Sequence, residues 1–142
     1  LARANIKPRL RMSTLYALAQ TQGYLVAGTG NRSEIAVGYF TKYGDGGVDV
    51  EPLGELYKVQ VRQLARELGI PQPIIDRPPS AGLWEGQTDE EEMGITYDAL
   101  DTALAAIESG ETENLDPALL ARVQQMIHNS AHKRSMPPTC PL

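Results

Sequence analysis

Two glycine-rich stretches carry most of the side chains suited to a charged ligand. In the first, Gly28-Thr29-Gly30-Asn31-Arg32-Ser33-Glu34 follows the short apolar run Tyr24-Leu25-Val26-Ala27. A glycine turn between the C-terminal end of a strand and a helix start is where open α/β sheets bind ligands. Its backbone N–H groups and the Thr29 hydroxyl can hold a phosphate. A purely structural turn has the same composition, so the stretch by itself leaves both readings open. Glu34 can coordinate Mg2+, an ion that takes one or two carboxylates together with phosphate oxygens and water. It can equally be an acid settled by the dipole at a helix N-terminus, and the sequence shows no second carboxylate to go with it.

The second stretch is denser: Thr41-Lys42-Tyr43-Gly44-Asp45-Gly46-Gly47-Val48-Asp49. Glycines let the backbone approach a ligand closely, Lys42 can neutralise a phosphate or carboxylate, and Asp49 can accept hydrogen bonds from ribose hydroxyls or amines. A surface turn is the alternative. Lys58 opens the next predicted helix, where the dipole disfavours a cation, so an anionic partner or full solvation is expected there. His132-Lys133-Arg134 forms a compact cationic cluster before Pro137-Pro138, and a solvated tail is its plain reading. The run Asp89-Glu90-Glu91-Glu92 reads as a solvated face or a helix start. Trp84 either covers a ring or anchors its loop.

Certain elements must position these groups. Leu10, Leu15, Leu18 and Ala19 predict a helix over residues 5–20, with Pro8 tolerable near its first turn and Gly23 ending it. Residues 24–27 predict a buried strand of a parallel sheet, and Asn31 or Ser33 offers a cap for the turn that follows. Val61, Leu64, Ala65 and Leu68 predict a helix over residues 55–68, stopped by Gly69 and Pro71. Residues 72–93 carry Pro73, Pro78, Pro79, Gly82 and Gly86 without periodicity and read as a mobile lid. Tyr97, Leu100, Leu104 and Ile107 predict one further helix. Leu119, Val123 and Ile127 predict another, starting at Asp116-Pro117. The tail from His128 onward is polar, then Pro-rich. With one clear strand, a complete parallel sheet cannot be built from these residues.

The 142 residues carry a formal charge of -5, which argues against duplex nucleic acid as a partner. The charge is uneven, since Arg3, Lys7, Arg9 and Arg11 have no acid among them, which leaves room for a basic pocket suited to a small anion. Cys140 is the lone cysteine and cannot form an internal disulfide, so a reducing cytoplasm is expected. No apolar run approaches the roughly 20 residues needed to cross a bilayer. Residues 1–6 read as a helix already running, which suggests a piece of a longer chain.

Taken in order, Asn5 to Met12 (NIKPRLRM), Leu25 to Glu34 (LVAGTGNRSE), Gly38 to Asp49 (GYFTKYGDGGVD), Leu56-Tyr57-Lys58, Pro79-Ser80-Ala81 with Gly86-Gln87-Thr88-Asp89-Glu90, and His132-Lys133-Arg134 resemble the NAD synthetase family over nearly the whole chain. The FTKYGDGGVD block resembles the ammonia-using form more than the glutamine-using one. The resemblance implies an α/β fold, the C-terminal part of an adenine nucleotide alpha hydrolase-like parallel sheet flanked by helices, helix-rich in this piece. It implies a homodimeric ligase that converts deamido-NAD+, ATP and ammonia into NAD+, AMP and pyrophosphate. It further implies ATP contacts from Thr29, Lys58 and Ser80, a Mg2+ ligand at Glu34, and deamido-NAD+ contacts from Arg9, Lys42, Asp49, His132 and Lys133. Position 80 is often Thr in that family, and Ser keeps the hydroxyl.

One departure is large. The family's Ser-Gly-Gly-x-Asp-Ser pyrophosphate loop, which also supplies a second metal carboxylate, is absent from this sequence. The 142-residue chain by itself is therefore expected to be inactive. Another amidating enzyme of the same fold group, such as a GMP synthetase-like one, and a non-catalytic nucleotide-binding or dimerisation module are the competing readings.

Overall fold

Val37, Met93, Ile95, Tyr97, Leu100, Ala103, Leu104 and Val123 come together as the core of the computed structural model, which describes residues 2–140. Fully burying a large apolar side chain is worth about 1.5–3 kcal/mol, so this cluster explains which helices meet. Helix α1 spans Ile6–Gln22, α2 Arg32–Val37, α3 Lys58–Glu67, α4 Gln72–Ile75, α5 Asp89–Met93, α6 Tyr97–Ser109 and α7 Pro117–Ser130, followed by a 3-10 turn over Ala131–Lys133. Helix α6 is central and packs against α2, α3 and α7. Its Tyr97, Leu100 and Leu104 keep the spacing that puts side chains on one helical face.

Local chemistry sets the helix ends. Gly23, Gly38, Gly94 and Gly110 close α1, α2, α5 and α6 in the left-handed conformation. Asn31 caps α2 by accepting from Glu34 N–H at 3.0 Å, while Glu34 Oε2 accepts from Asn31 N–H at 3.1 Å. Asp116 accepts from Ala118 N–H ahead of Pro117 at the start of α7.

Several expectations change. No strand forms among the described residues. Residues 24–26 carry no regular structure, and only Ala27 pairs, in one isolated parallel bridge to Val50. Gly28 N–H donates to Val50 O at 2.7 Å and Asp49 N–H to Val26 O at 2.9 Å. A strand needs a neighbour along its length, and here Tyr24 and Leu25 are 67% and 75% exposed. Residues 2–5 form a turn, not a running helix, and Leu1, the first residue of that reading, lies outside the described residues, as do Pro141 and Leu142 of the tail. The predicted helix over residues 55–68 begins later, at Lys58.

The stretch read as a structureless lid carries α4 and α5 and is tied down. Asp89 N–H donates to Pro79 O at 2.9 Å, Leu83 N–H to Gln87 Oε1 at 2.8 Å, and Lys7 Nζ to Leu83 O at 2.5 Å. Of the tail expected from His128, residues 128–130 are the last turn of α7 and 131–133 the 3-10 turn, while residues 134–140 carry no helix. The tail is pinned because the Arg134 guanidinium donates to Ile127 O, Ser130 Oγ and Ile35 O.

Candidate functional site

The turn after residue 27 and the first turn of α3 face each other across a cleft of about 500 Å³ whose walls include Thr29, Glu34, Lys58, Ser80 and Asp89. All four residues expected from Thr29, Glu34, Lys58 and Ser80 are thus in one place, although they come from three separate segments. Thr29 and Ser80 are exposed there, whereas Glu34 and Lys58 are half-buried.

Glu34 and Lys58 form an ion pair, Lys58 Nζ to Glu34 Oε1 at 2.8 Å. The pair is positioned from below. Tyr97 is fully buried; its hydroxyl lies 3.0 Å from Glu34 Oε1 and 2.9 Å from Asp89 Oδ2, and its ring centroid is 4.7 Å from Lys58 Nζ. Burial and the two carboxylates push the Tyr97 hydroxyl well above the usual tyrosine range, so it remains a donor. The backbone of Lys58 is held as well. Its N–H donates to Ser33 Oγ at 2.9 Å, Ser33 donates in turn to Asp101 Oδ1, and Val59 N–H donates to Asp101 Oδ2 at 2.9 Å.

Asp89 is the carboxylate that sequence reading missed. It is 5% exposed, not a solvated acid, and the helix it starts is α5. Tyr39 OH reaches Asp89 Oδ1 at 3.2 Å and Glu92 Oε2 at 2.8 Å, and Gln87 Nε2 donates to Glu92 Oε2 at 2.7 Å. Burial raises the Asp89 carboxyl above the ordinary range, against the pull of Tyr97 and Lys58. A signal existed in the sequence: Asp89 stands one helical turn before the apolar Met93, and both are buried.

The glycine turn differs from a free anion cradle. Gly28 N–H is used by the pairing to Val50, and Gly30 N–H donates to Glu51 Oε2 at 3.0 Å. Glu51 lies so close over Gly28 that a Cβ there would overlap its carboxylate, and burial raises the Glu51 carboxyl. What the turn offers a ligand is the Thr29 hydroxyl. Mg2+ takes few protein ligands and several phosphate or water oxygens. Among the described residues no group of three or more His, Cys, Asp or Glu could hold a metal. Glu34 and Asp89 are the two carboxylates of the cleft wall, a set that fits an ion with few protein ligands rather than one caged by protein.

Four of the remaining predicted residues, Arg9, Lys42, His132 and Lys133, lie around the second glycine loop. Helix α1 supports this loop: Thr41 Oγ1 donates to Asn5 Oδ1 at 3.1 Å, and the Arg9 guanidinium donates to Lys42 O at 3.4 Å. Lys42 Nζ donates to His132 O and lies 5.3 Å from the Tyr43 ring centroid, so Arg9, Lys42 and His132 adjoin one another. Lys133 Nζ donates to Gly38 O at 2.7 Å and Phe40 O at 2.8 Å, and burial lowers its pKa. It lines a cleft of about 340 Å³ that Thr29 and Asp45 also line. Asp49 is apart from that group: its carboxylate accepts from Val26 N–H at 2.8 Å and Tyr16 OH at 3.1 Å. Asp45, which the sequence reading left without a role, lines three of the clefts and accepts from Thr41 N–H at 3.0 Å.

Comparison with known proteins gives this geometry a family. The NH(3)-dependent NAD(+) synthetase of Archaeoglobus fulgidus is 59% identical over 138 residues, covering 97% of this chain and 55% of that protein. The structure of NMN synthetase from Francisella tularensis superposes with a TM-score of 0.88 at 42% identity, over 99% of this chain and 57% of that one. The NH3-dependent NAD synthetase from Campylobacter jejuni, solved with nitrate ion, gives a TM-score of 0.78 at 31% identity, over 96% and 54%. This chain spans about half the length of the curated relatives it matches. Since the family model of NAD synthase matches residues 1–137, nearly the whole chain, this chain belongs to the NAD synthase family.

Proposed function

We propose that this chain forms part of an ammonia-dependent NAD synthetase, a ligase that uses ATP to amidate the nicotinate carboxylate of deamido-NAD+. One observation carries the reading. The Lys58–Glu34 pair presents a cation and an anion side by side in the cleft lined by Thr29 and Ser80, which is the charge complement of a metal-bound phosphate.

In the proposed reaction a carboxylate oxygen of the substrate attacks the α-phosphorus of ATP and pyrophosphate leaves, giving an acyl adenylate. Ammonia then attacks the acyl carbon, AMP departs with the bonding pair, and the nitrogen sheds a proton to leave the amide. Lys58, Thr29 and Ser80 bind and orient the triphosphate. Glu34 would hold Mg2+, which when bound neutralises phosphate charge. Arg9, Lys42, His132, Lys133 and Asp49 form the deamido-NAD+ side. Phosphoryl and nucleotidyl transfer depend mainly on such positioning and charge neutralisation.

The parallel bridge between Ala27 and Val50 supports a larger parallel sheet in the whole enzyme, and the exposed apolar side chains of α1 support a homodimer. The lone cysteine and the lack of any helix long and apolar enough to cross a membrane among the described residues favour a cytoplasmic enzyme. The match to the NAD synthase family favours this reading over the GMP synthetase-like alternative.

The full-length gene product, given ATP, Mg2+, ammonium and deamido-NAD+, should release NAD+ and pyrophosphate in equal amounts, and the 142-residue chain alone should release neither. Absence of product from the full-length protein would overturn the reading. The likeness to the Francisella NMN synthetase favours a second acceptor, nicotinate mononucleotide. Competition between the two acceptors in one assay decides which has the higher kcat/KM.

A further inference from the structure

Two residues of α6 outside the proposed ligand contacts hold Lys58 at both ends. Tyr97 and Asp101 are four positions apart, which puts them one above the other on a single helical face. Both are buried, at 0% and 5% exposure. Tyr97 meets the far end of the Lys58 side chain, with its ring 4.7 Å from Nζ and its hydroxyl 3.0 Å from the partner carboxylate of Glu34. Asp101 meets the near end. One carboxylate oxygen accepts from Val59 N–H at 2.9 Å, and the other accepts from Ser33 Oγ, which itself accepts from Lys58 N–H.

A lysine side chain has several rotatable bonds, and its usefulness toward a phosphate depends on how much of that freedom is already spent. Helix α3 lacks an acid in its first turn, so the donors at its start need partners from elsewhere. Asp101 supplies an ionised acceptor from a neighbouring helix, and Ser33 relays it. Glu34, 2.8 Å from Nζ, offsets a cation placed where the dipole disfavours it. Meanwhile the Tyr97 ring gives the ammonium a low-dielectric face, and the hydroxyl keeps the Glu34 carboxylate turned toward Lys58. Core packing alone would require neither the hydroxyl of Tyr97 nor the charge of Asp101, because a phenylalanine or leucine fills such a position without a polar atom to satisfy.

We infer that α6 is the positioning helix of the ATP subsite, with Tyr97 fixing the charged end of Lys58 and Asp101 fixing the backbone from which it projects. This rests on the ligase reading above, and the two fail differently. The test uses the full-length gene product as wild type, Tyr97→Phe and Asp101→Asn. Calorimetry measures ATP and deamido-NAD+ affinity, and circular dichroism melts report folding. Losing a hydrogen bond to a charged group corresponds to roughly a tenfold change in affinity. Each variant should therefore bind ATP roughly tenfold more weakly, with deamido-NAD+ affinity unchanged and the melt still cooperative. Folded variants that bind ATP within about twofold of wild type would overturn the inference and leave α6 a scaffold. Should Tyr97→Phe fail to fold, Asp101→Asn decides by the same criterion. A wild-type protein that neither binds ATP nor forms an amide product removes the ligase reading, and the inference with it.

Discussion

Lys58 Nζ lies 2.8 Å from Glu34 Oε1, and neither side chain exposes as much as a fifth of its surface. The pair is therefore sheltered enough for each charge to depend on the other. Glu34 also accepts from Asn31 N–H and Tyr97 OH, so removing the lysine does not strand it completely. Lys58→Met should lower stability by about 1–2 kcal/mol, less than the roughly 3–5 kcal/mol lost when a fully buried pair is broken, and should abolish measurable ATP binding. Urea unfolding and calorimetry on the full-length protein check both. Unaltered ATP affinity would remove Lys58 from the subsite.

Gly38 adopts φ +69, and a Cβ there would overlap Ser130 Cβ on α7. Gly38→Ala meets two costs, the left-handed backbone and the steric overlap, together about 2–4 kcal/mol. Ser130→Gly in the same background should recover part of the loss, read as a rise in the urea midpoint. An alanine variant as stable as the wild type would mean that α2 and α7 do not approach this closely.

Burial raises the Asp89 carboxyl above its ordinary value of 3.8. The folded state then binds that proton more tightly than the unfolded state does. The contribution to stability is complete below the unfolded value and is lost as pH rises through the folded one. Asp89→Asn removes this titration, so the stability of the variant relative to wild type should improve as pH rises above the ordinary carboxyl value of 3.8 and through the raised folded one. Urea midpoints that keep a constant offset across that range would contradict it.

Lys42 and Lys133 should separate by phenotype. Lys133 donates to two backbone carbonyls, Gly38 O and Phe40 O, and Lys133→Ala should cost about 2 kcal/mol of stability. Lys42 donates to one, His132 O, so Lys42→Ala should cost under about 1 kcal/mol. Its main effect should be on deamido-NAD+ affinity, weakened roughly tenfold with ATP affinity unchanged. Equal binding of both ligands by Lys42→Ala and wild type would argue that this loop does not meet the dinucleotide.

Features decided within a few residues were legible beforehand. Gly23 and Gly69 end helices because their backbones can turn left-handed, Asn31 caps because its side chain reaches three residues on, and Asp116-Pro117 starts α7 for the same kind of local reason. The apolar run over residues 24–27 satisfied the strand rule, yet a strand exists only through its neighbours and one bridge is all that pairs with it here. Asp89 was hidden in a run of four acids, because composition cannot say which member of such a run turns inward. Tyr97 was legible as a core position of α6, but the job of its hydroxyl required Glu34 and Asp89, which are 63 and 8 residues away. Distant partners of this kind are what a linear reading misses.

Helix α1 buries only Pro8, while Leu10, Leu15 and Leu18 are 64%, 52% and 56% exposed. Exposed leucines of this kind are adhesive in water. In practical handling, the 142-residue polypeptide expressed by itself would behave as a sticky solute, prone to reversible clustering as its concentration rises. Replacing Leu10 and Leu18 with glutamine would improve its solubility without touching the clefts, since both side chains are exposed and neither lines them.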